Sequence, residues 1–131
     1  MELTAIRTLK LEIEATEQKL LALRENAQSI TAKLDGLPRS QSFTSKVERL
    51  VIEINSGEEE LARLMIELIE TTEALTQMIQ QRVKGNAAIV LIQRYILCKT
   101  FKEIAIAMNY SEHNVYYLHR QGVRTFSAKN S

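Results

Sequence analysis

The sequence predicts an all-α protein, in which a long antiparallel helical hairpin of coiled-coil type precedes a small C-terminal helical bundle. The chain of 131 residues is 45% hydrophobic but only 5% aromatic, with a single proline and no tryptophan. Its leucines and isoleucines recur with the spacing of one face of a helix over two long stretches. A β-sandwich or barrel would instead require β-branched and aromatic runs separated by frequent turns.

Residues 2–35 are predicted to form the first helix. With Ile6 at heptad position a, eight of the nine a and d positions through Leu34 are apolar. A seam sustained over four heptads is typical of a coiled coil. We expect it to hold copies of the chain in a homo-oligomer, most simply a homodimer, through Ile6, Leu9, Ile13, Leu20, Leu23 and Ile30.

A second heptad pattern predicts a helix over residues 45–84, after a short loop at 37–43. Asn55-Ser56-Gly57 is a weak point within it, and we favour one continuous helix there over two. A short loop between long helices predicts an antiparallel hairpin. The two apolar seams can pack against each other within one chain or between the chains of a dimer, and the sequence pattern is compatible with both arrangements. We assign 1–84 to this helical arm.

Charge divides the chain at about the same place. Residues 1–81 contain 9 Lys and Arg against 14 Asp and Glu, a net charge of −5. Residues 82–131 contain 8 Lys and Arg against 2 Asp and Glu, a net charge of +6. A basic end on an acidic body favours a polyanionic partner. We assign 85–131 to a second domain.

Three short helices are predicted in this second domain. The first spans about 87–97. Thr100 and Glu103 have the spacing of a capping box, which begins the second helix. Asn109 stands where that helix ends, because asparagine tolerates the left-handed conformation. Ser111 is the predicted cap of the last helix. Small Ala105, the turn at Asn109 and apolar Val115 together have the spacing of a helix-turn-helix.

The second domain carries a family resemblance. It extends from Leu91-Ile92-Gln93-Arg94-Tyr95 through Thr100-Phe101-Lys102-Glu103-Ile104-Ala105 to Tyr110-Ser111 and Leu118-His119. This stretch resembles region 4 of bacterial sigma factors. It is more similar to the phage-encoded ArpU/RinA-type transcriptional regulators, whose likeness extends over most of the chain and is specific in the last 40 residues. The resemblance implies a regulator of phage late or packaging genes, with double-stranded DNA as partner.

By this resemblance, the last helix reads base edges and its neighbours contact phosphates. The base-reading candidates are Glu112, His113, Asn114, Tyr116, Tyr117 and Arg120. The phosphate candidates are Arg94, Lys99, Thr100, Lys102, Ser111 and Arg124. An alternative interpretation buries one of the two tyrosines in the core. Acidic, imidazole and phenolic groups stand where sigma factors usually have arginine, so we expect a different DNA site.

Other functions have little basis in the sequence. Cys98, His113 and His119 are the only soft metal ligands, and the two histidines point about 240° apart around one helix, so we expect no metal site. No phosphate-binding loop or nucleophile motif is present, so we expect neither an enzyme nor a cofactor. No apolar run is long enough for a membrane span, and Met-Glu-Leu-Thr does not begin a signal peptide. We therefore expect a cytoplasmic protein.

Three alternatives to a dimeric regulator stay open. A sigma-like subunit would bind RNA polymerase as well as DNA. A small subunit of a phage DNA-packaging machine would also join a helix-turn-helix to oligomerising helices. A purely structural coiled coil would not bind DNA at all. No motif in the sequence distinguishes an activator from a repressor or indicates the DNA target.

Overall fold

The protein is all-α in the computed structural model, which describes residues 2–32 and 41–128. Two long helices come first, α1 (Ala5–Ala32) and α2 (Gln41–Arg82). Three shorter helices follow, α3 (Gly85–Leu91), α4 (Phe101–Met108) and α5 (Glu112–Ala128), with a π-helical turn at Ile92–Ile96. No helix in these two ranges is both long and apolar enough to cross a membrane.

Several predicted helix ends differ from the observed ones. The predicted loop at 37–43 is wrong at its end, because Gln41–Phe43 already belong to α2, while residues 37–40 lie outside the described ranges. No glycine or proline precedes Gly57 in α2, so nothing in the sequence prevents an earlier start. The helix predicted at 87–97 begins two residues earlier and ends in the π-helical turn, where the Leu97 amide donates to the Ile92 carbonyl at 3.1 Å.

The contacts divide the chain into two compact units. One is Leu9–Glu67, and the other combines the described parts of Met1–Thr8 and Leu68–Ser131. The second unit includes the first turn of α1 and the end of α2, because Ile6, Leu75 and Ile79 join one apolar cluster with Leu91 and Phe126. The predicted boundary between a helical arm (1–84) and a DNA-binding domain (85–131) is based on the change in net charge, not on the contacts that define these compact units. It stays a prediction.

Within the unit Leu9–Glu67, α1 and α2 pair along their apolar seams. Leu20 is 1% exposed, and a Cβ at Gly57 would lie only 2.6 Å from its Cδ2 atom. Arg24 and Glu58 form an ion pair at 2.8 Å. Nearer the end of α1, Ile30 lines a shallow depression with Leu50. Side chains of the second half of α1 therefore lie beside the first half of α2 within this unit.

Gly57 occupies a tightly packed position rather than a break in α2. The helix is continuous through Asn55-Ser56-Gly57, as the sequence pattern favoured. The missing side chain provides the space that Leu20 fills, as a knob fills a hole in a coiled coil. The cost of a glycine in a helix is therefore offset by a closer approach of the two helices.

Candidate nucleic-acid interface

Helix α4 begins at the predicted capping box, which is confirmed. The Thr100 hydroxyl accepts from the Glu103 amide at 3.2 Å, and the Glu103 carboxylate accepts from the Thr100 amide at 3.3 Å. The hydroxyl also donates to this carboxylate at 2.9 Å. The hydrogen bond from the Thr100 side chain has the largest effect in lowering the pKa of Glu103, and the hydrogen bond from the Thr100 backbone amide lowers this pKa further. Two backbone amides that the helix itself leaves unpaired are thus satisfied locally.

The turn between α4 and α5 has the predicted left-handed residue. Asn109 has φ 56° and ψ 43°, and the next amide, of Tyr110, donates to the Ala105 carbonyl at 2.9 Å. The predicted cap of α5 is also confirmed, since the Ser111 hydroxyl accepts from the Asn114 amide at 3.1 Å. Two residues, Tyr110 and Ser111, therefore separate the turn from the first residue of α5.

The two helices pack through small and branched side chains. Ala105 is 6% exposed, while Ile104 and Val115 are fully buried with Val90 of α3 in one cluster. At the far end of α5, Gly122 lies against Leu91, whose Cγ atom would be 3.0 Å from a Cβ added to the glycine. The bundle therefore buries one face of α5, at Val115, Gly122 and Phe126, and leaves the opposite face exposed.

The outer face of α5 carries most of the predicted base-reading residues. The exposed members are Glu112, His113, Tyr116, Tyr117 and Arg120, whereas Asn114 is half-buried. Tyr116 and Tyr117 are 44% and 52% exposed, so the alternative that buries one of them in the core is wrong. The Tyr116 ring rests against Phe101 with centroids 4.7 Å apart, and the Tyr117 hydroxyl accepts from Gln121 at 2.9 Å.

The predicted phosphate-contacting residues fall into two groups. Four are exposed, namely Thr100, Lys102, Ser111 and Arg124, although the Thr100 and Ser111 hydroxyls also cap α4 and α5. The other two, Arg94 and Lys99, are half-buried and partly engaged within the protein. Arg94 donates to the Lys99 carbonyl at 2.9 Å, and Lys99 donates to the Gln93 side chain at 3.3 Å.

An aromatic cluster, made of Tyr95, Phe101, Tyr116 and His119, connects the helices of this region. Phe101 has the Arg94 guanidinium 4.5 Å above its ring and the His119 ring edge-on at 4.9 Å. Tyr95 and His119 share a hydrogen bond of 2.6 Å, whose direction depends on the imidazole tautomer.

Burial controls the protonation of this cluster. It raises the pKa of Tyr95, against a smaller opposite effect of the Arg94 charge. Burial also lowers the pKa of His119, and the Arg94 charge lowers it further. Both shifts favour uncharged side chains, as expected for polar groups packed between helices.

Sequence reasoning missed the contribution of the first turn of α1 to this region. Thr4 and Arg7 line a cavity of about 620 Å³ together with Arg94, Tyr95, Cys98, Thr100, Phe101 and His119. No pattern in the sequence relates residues 4–7 to residues 94–119, since their proximity arises only when the chain folds. Arg7 adds a cation that neither the heptad pattern nor the resemblance assigned to a site.

The residues predicted to hold copies of the chain together are used within the chain. Ile6, Leu9, Ile13 and Leu20 are 1%, 6%, 9% and 1% exposed, while Leu23 and Ile30 are half-buried. Their apolar surface is thus largely covered by the chain's own helices. Self-association stays a prediction, and it requires either another surface or an exchange of helices between copies.

A comparison with protein-family models, with curated proteins and with solved structures found no match to this chain.

Proposed function

We propose that this protein is a cytoplasmic, sequence-specific DNA-binding regulator of phage or mobile-element transcription that acts as a homo-oligomer. In this proposal α4 and α5 form a helix-turn-helix, and α5 is the helix that enters the major groove. The paired helices α1 and α2 form an antiparallel hairpin, which serves as the arm. The resemblance to ArpU/RinA-type regulators supports late or packaging genes as the regulated set.

One observation carries the proposal: the exposed outer face of α5 begins directly after a capped, left-handed turn. Asn109 ends α4, Ser111 caps α5, and Val115 is buried against α4. The side chains of His113 and Tyr117, in the first two turns, therefore project away from the bundle, while Tyr116 packs against Phe101 and is still 44% exposed. In helix-turn-helix proteins these turns meet the base edges.

Charge supports the same face as the DNA-binding surface. Residues 82–131 have a net charge of +6, whereas residues 1–81 have −5. Exposed Lys102 at the start of α4 and exposed Arg120 and Arg124 along α5 supply cations on this bundle. Such cations attract the phosphate backbone in a sequence-independent and salt-dependent manner, while the residues between them discriminate the sequence.

The first experiment selects DNA fragments from a random duplex pool with the full chain and then measures binding of the selected duplex and a scrambled one. We expect a selected motif bound at least about 1,000-fold more tightly than the scrambled duplex. Recovery of no motif, together with no binding at low salt, would contradict the proposal and favour a structural coiled coil. Ring-shaped assemblies on the selected DNA would favour a packaging subunit.

A second experiment separates the two kinds of contact by salt titration of alanine variants. Alanine at Glu112 or His113 should cost roughly 1–3 kcal/mol on the selected duplex and much less on scrambled DNA. Alanine at Lys102 or Arg124 should weaken both duplexes equally and reduce the salt slope by about one per lost phosphate contact.

The matched control is Lys19→Ala, which removes an exposed cation from α1 and should change neither affinity nor slope. If all α5 variants keep full discrimination, α5 is not the recognition helix and the assignment of roles fails.

A further inference from the structure

The cavity beside the first turn of α1 has the dimensions of a ligand site. Its volume of about 620 Å³ lies within the roughly 300–1,000 Å³ of typical small-molecule pockets. All of its lining residues belong to the same compact unit, which contains Met1–Thr8 and Leu68–Ser131. The walls come from the start of α1, the π-helical turn, the start of α4 and the middle of α5.

The cavity is electropositive. Arg7 and Arg94 both line it, and no carboxylate is among its lining residues in the described part of the chain. Within that part, the Arg7 side chain makes no ion pair or hydrogen bond. Arg94 donates from Nη1 to the Lys99 carbonyl, which leaves most of the five guanidinium N–H groups for another acceptor. Guanidinium groups bind carboxylates in a planar, bidentate geometry.

The other walls are flat and largely apolar. Tyr95, Phe101 and His119 contribute three rings, and the Tyr95 and His119 rings lie within 29° of parallel with centroids 5.6 Å apart. The imidazole and the phenol are already hydrogen-bonded to each other. Arg94 already covers one face of Phe101, and the Tyr95 and His119 rings face each other, so the parts of these rings that line the cavity offer aromatic surface to a ligand, while the two arginines offer charge.

We propose that this cavity binds a small planar organic anion, with its carboxylate or equivalent acidic group on Arg7 and Arg94 and its ring against Phe101 and Tyr95. This site goes beyond DNA binding and does not depend on it. Because Thr100 and Phe101 begin α4 and His119 belongs to α5, the bound anion bridges the first turn of α1 and the α4–α5 pair. Occupancy stabilises this unit by mass action.

The test uses 2-naphthoate as the probe and follows backbone amide shifts of the full chain by NMR. We expect saturable shifts at Arg7, Cys98, Phe101 and His119. Neutral 2-naphthylmethanol should bind at least about tenfold more weakly, because it lacks the charge that the arginines recognise. Inorganic phosphate should also bind at least about tenfold more weakly, because it lacks the ring. If either 2-naphthylmethanol or phosphate bound as tightly as 2-naphthoate, the proposal would be overturned.

Two substitutions test the role of Arg7, whose side chain is exposed, so that we expect little effect of either on stability. Arg7→Gln should weaken 2-naphthoate binding about tenfold, and Arg7→Glu should abolish it. Lys10→Gln is the matched control, since it removes an exposed cation from the same helix outside the cavity, and it should leave the affinity unchanged. Equal effects of Arg7→Gln and Lys10→Gln, or shifts centred outside the cavity, would refute the site. Neither measurement involves DNA, so a negative result for the ligand site would leave the DNA-binding proposal unaffected.

Discussion

At the scale of single residues, Gly122 has a packing role that its type alone does not reveal. It is buried in α5, and three carbon atoms of Leu91 would lie 3.0–3.2 Å from a Cβ at this position. Leu91 is itself fully buried, so it has little room to move. The close approach of α5 to α3 therefore depends on the absence of a side chain at residue 122.

We expect Gly122→Ala to destabilise the protein by about 1 kcal/mol. Alanine gains about 1 kcal/mol in helix propensity, but overpacking costs about 1–3 kcal/mol. Urea unfolding followed by circular dichroism measures the difference. Ser127→Ala, at an exposed position of the same helix, is the control and should be neutral or slightly stabilising. A more stable Gly122→Ala protein would show that Leu91 has room to move.

His119 should make stability depend on pH. Its pKa is lowered from 6.5 in the folded protein, first by burial and then by the Arg94 charge. The unfolded chain thus takes up a proton at higher pH than the folded one. The stabilisation is fully present above about pH 6.5 and is lost as pH falls through the folded-state value.

The measurement is the free energy of unfolding in urea between about pH 5 and 7.5. We expect the decline on acidification to be shallower in His119→Gln than in the wild-type protein. His113→Gln removes the exposed histidine of the same helix and should keep the wild-type slope. Identical slopes in the His119→Gln and wild-type proteins would assign the pH dependence to other groups.

At the scale of elements, the turn between α4 and α5 depends on a conformation that few side chains adopt readily. Asn109 has φ 56° and ψ 43°, and alanine pays about 1–2 kcal/mol for this region whereas glycine does not. We expect Asn109→Ala to lower the free energy of unfolding by about 1 kcal/mol and Asn109→Gly to equal or exceed the wild type.

Asn55, inside α2, supplies the matched control for Asn109. Its backbone is helical, so the stability order of the alanine and glycine variants should be the reverse of that at Asn109. We expect Asn55→Ala to be more stable than Asn55→Gly by about 1 kcal/mol. Urea unfolding of the four variants tests both sites. The same ranking at both positions would mean that the turn does not require the left-handed conformation.

At the scale of the whole molecule, Leu20 in the apolar seam of α1 packs against Gly57 of the chain's own α2. Leu20 is 1% exposed and fills the space at Gly57, whereas its neighbour Leu21 is 57% exposed. We expect Leu20→Ala to cost about 2–5 kcal/mol and Leu21→Ala to stay within about 0.5 kcal/mol of the wild type.

Concentration dependence distinguishes a seam within one chain from a seam between chains. If the seam lies within the chain, the difference in unfolding midpoint between Leu20→Ala and the wild type is the same at all protein concentrations, while a seam between chains makes that difference change with concentration. We expect a constant contribution of Leu20 across a hundredfold range of concentration, with light scattering reporting the oligomeric mass. If the loss of stability in Leu20→Ala disappeared at high protein concentration, the seam would instead lie in the interface between chains.

The predictions from sequence were most accurate where a short segment determines its own structure. The caps at Thr100 and Ser111 and the left-handed Asn109 follow from hydrogen bonds and backbone preferences within a few residues. They were less accurate where a helix could extend without penalty, as at Gln41–Phe43. The π-helical turn at Ile92–Ile96 was not predicted, since no residue type specifies it.

The all-α class, the heptad seams, the capped turn and the basic end follow from the sequence, because periodicity, capping and charge are properties of neighbouring residues. The surface that covers each seam and the distant residues that share a cavity become known from the folded structure. Leu20 meets Gly57, and Arg7 joins Arg94, across long separations in sequence. Such contacts depend on how whole helices approach one another, and a one-dimensional pattern does not specify that approach.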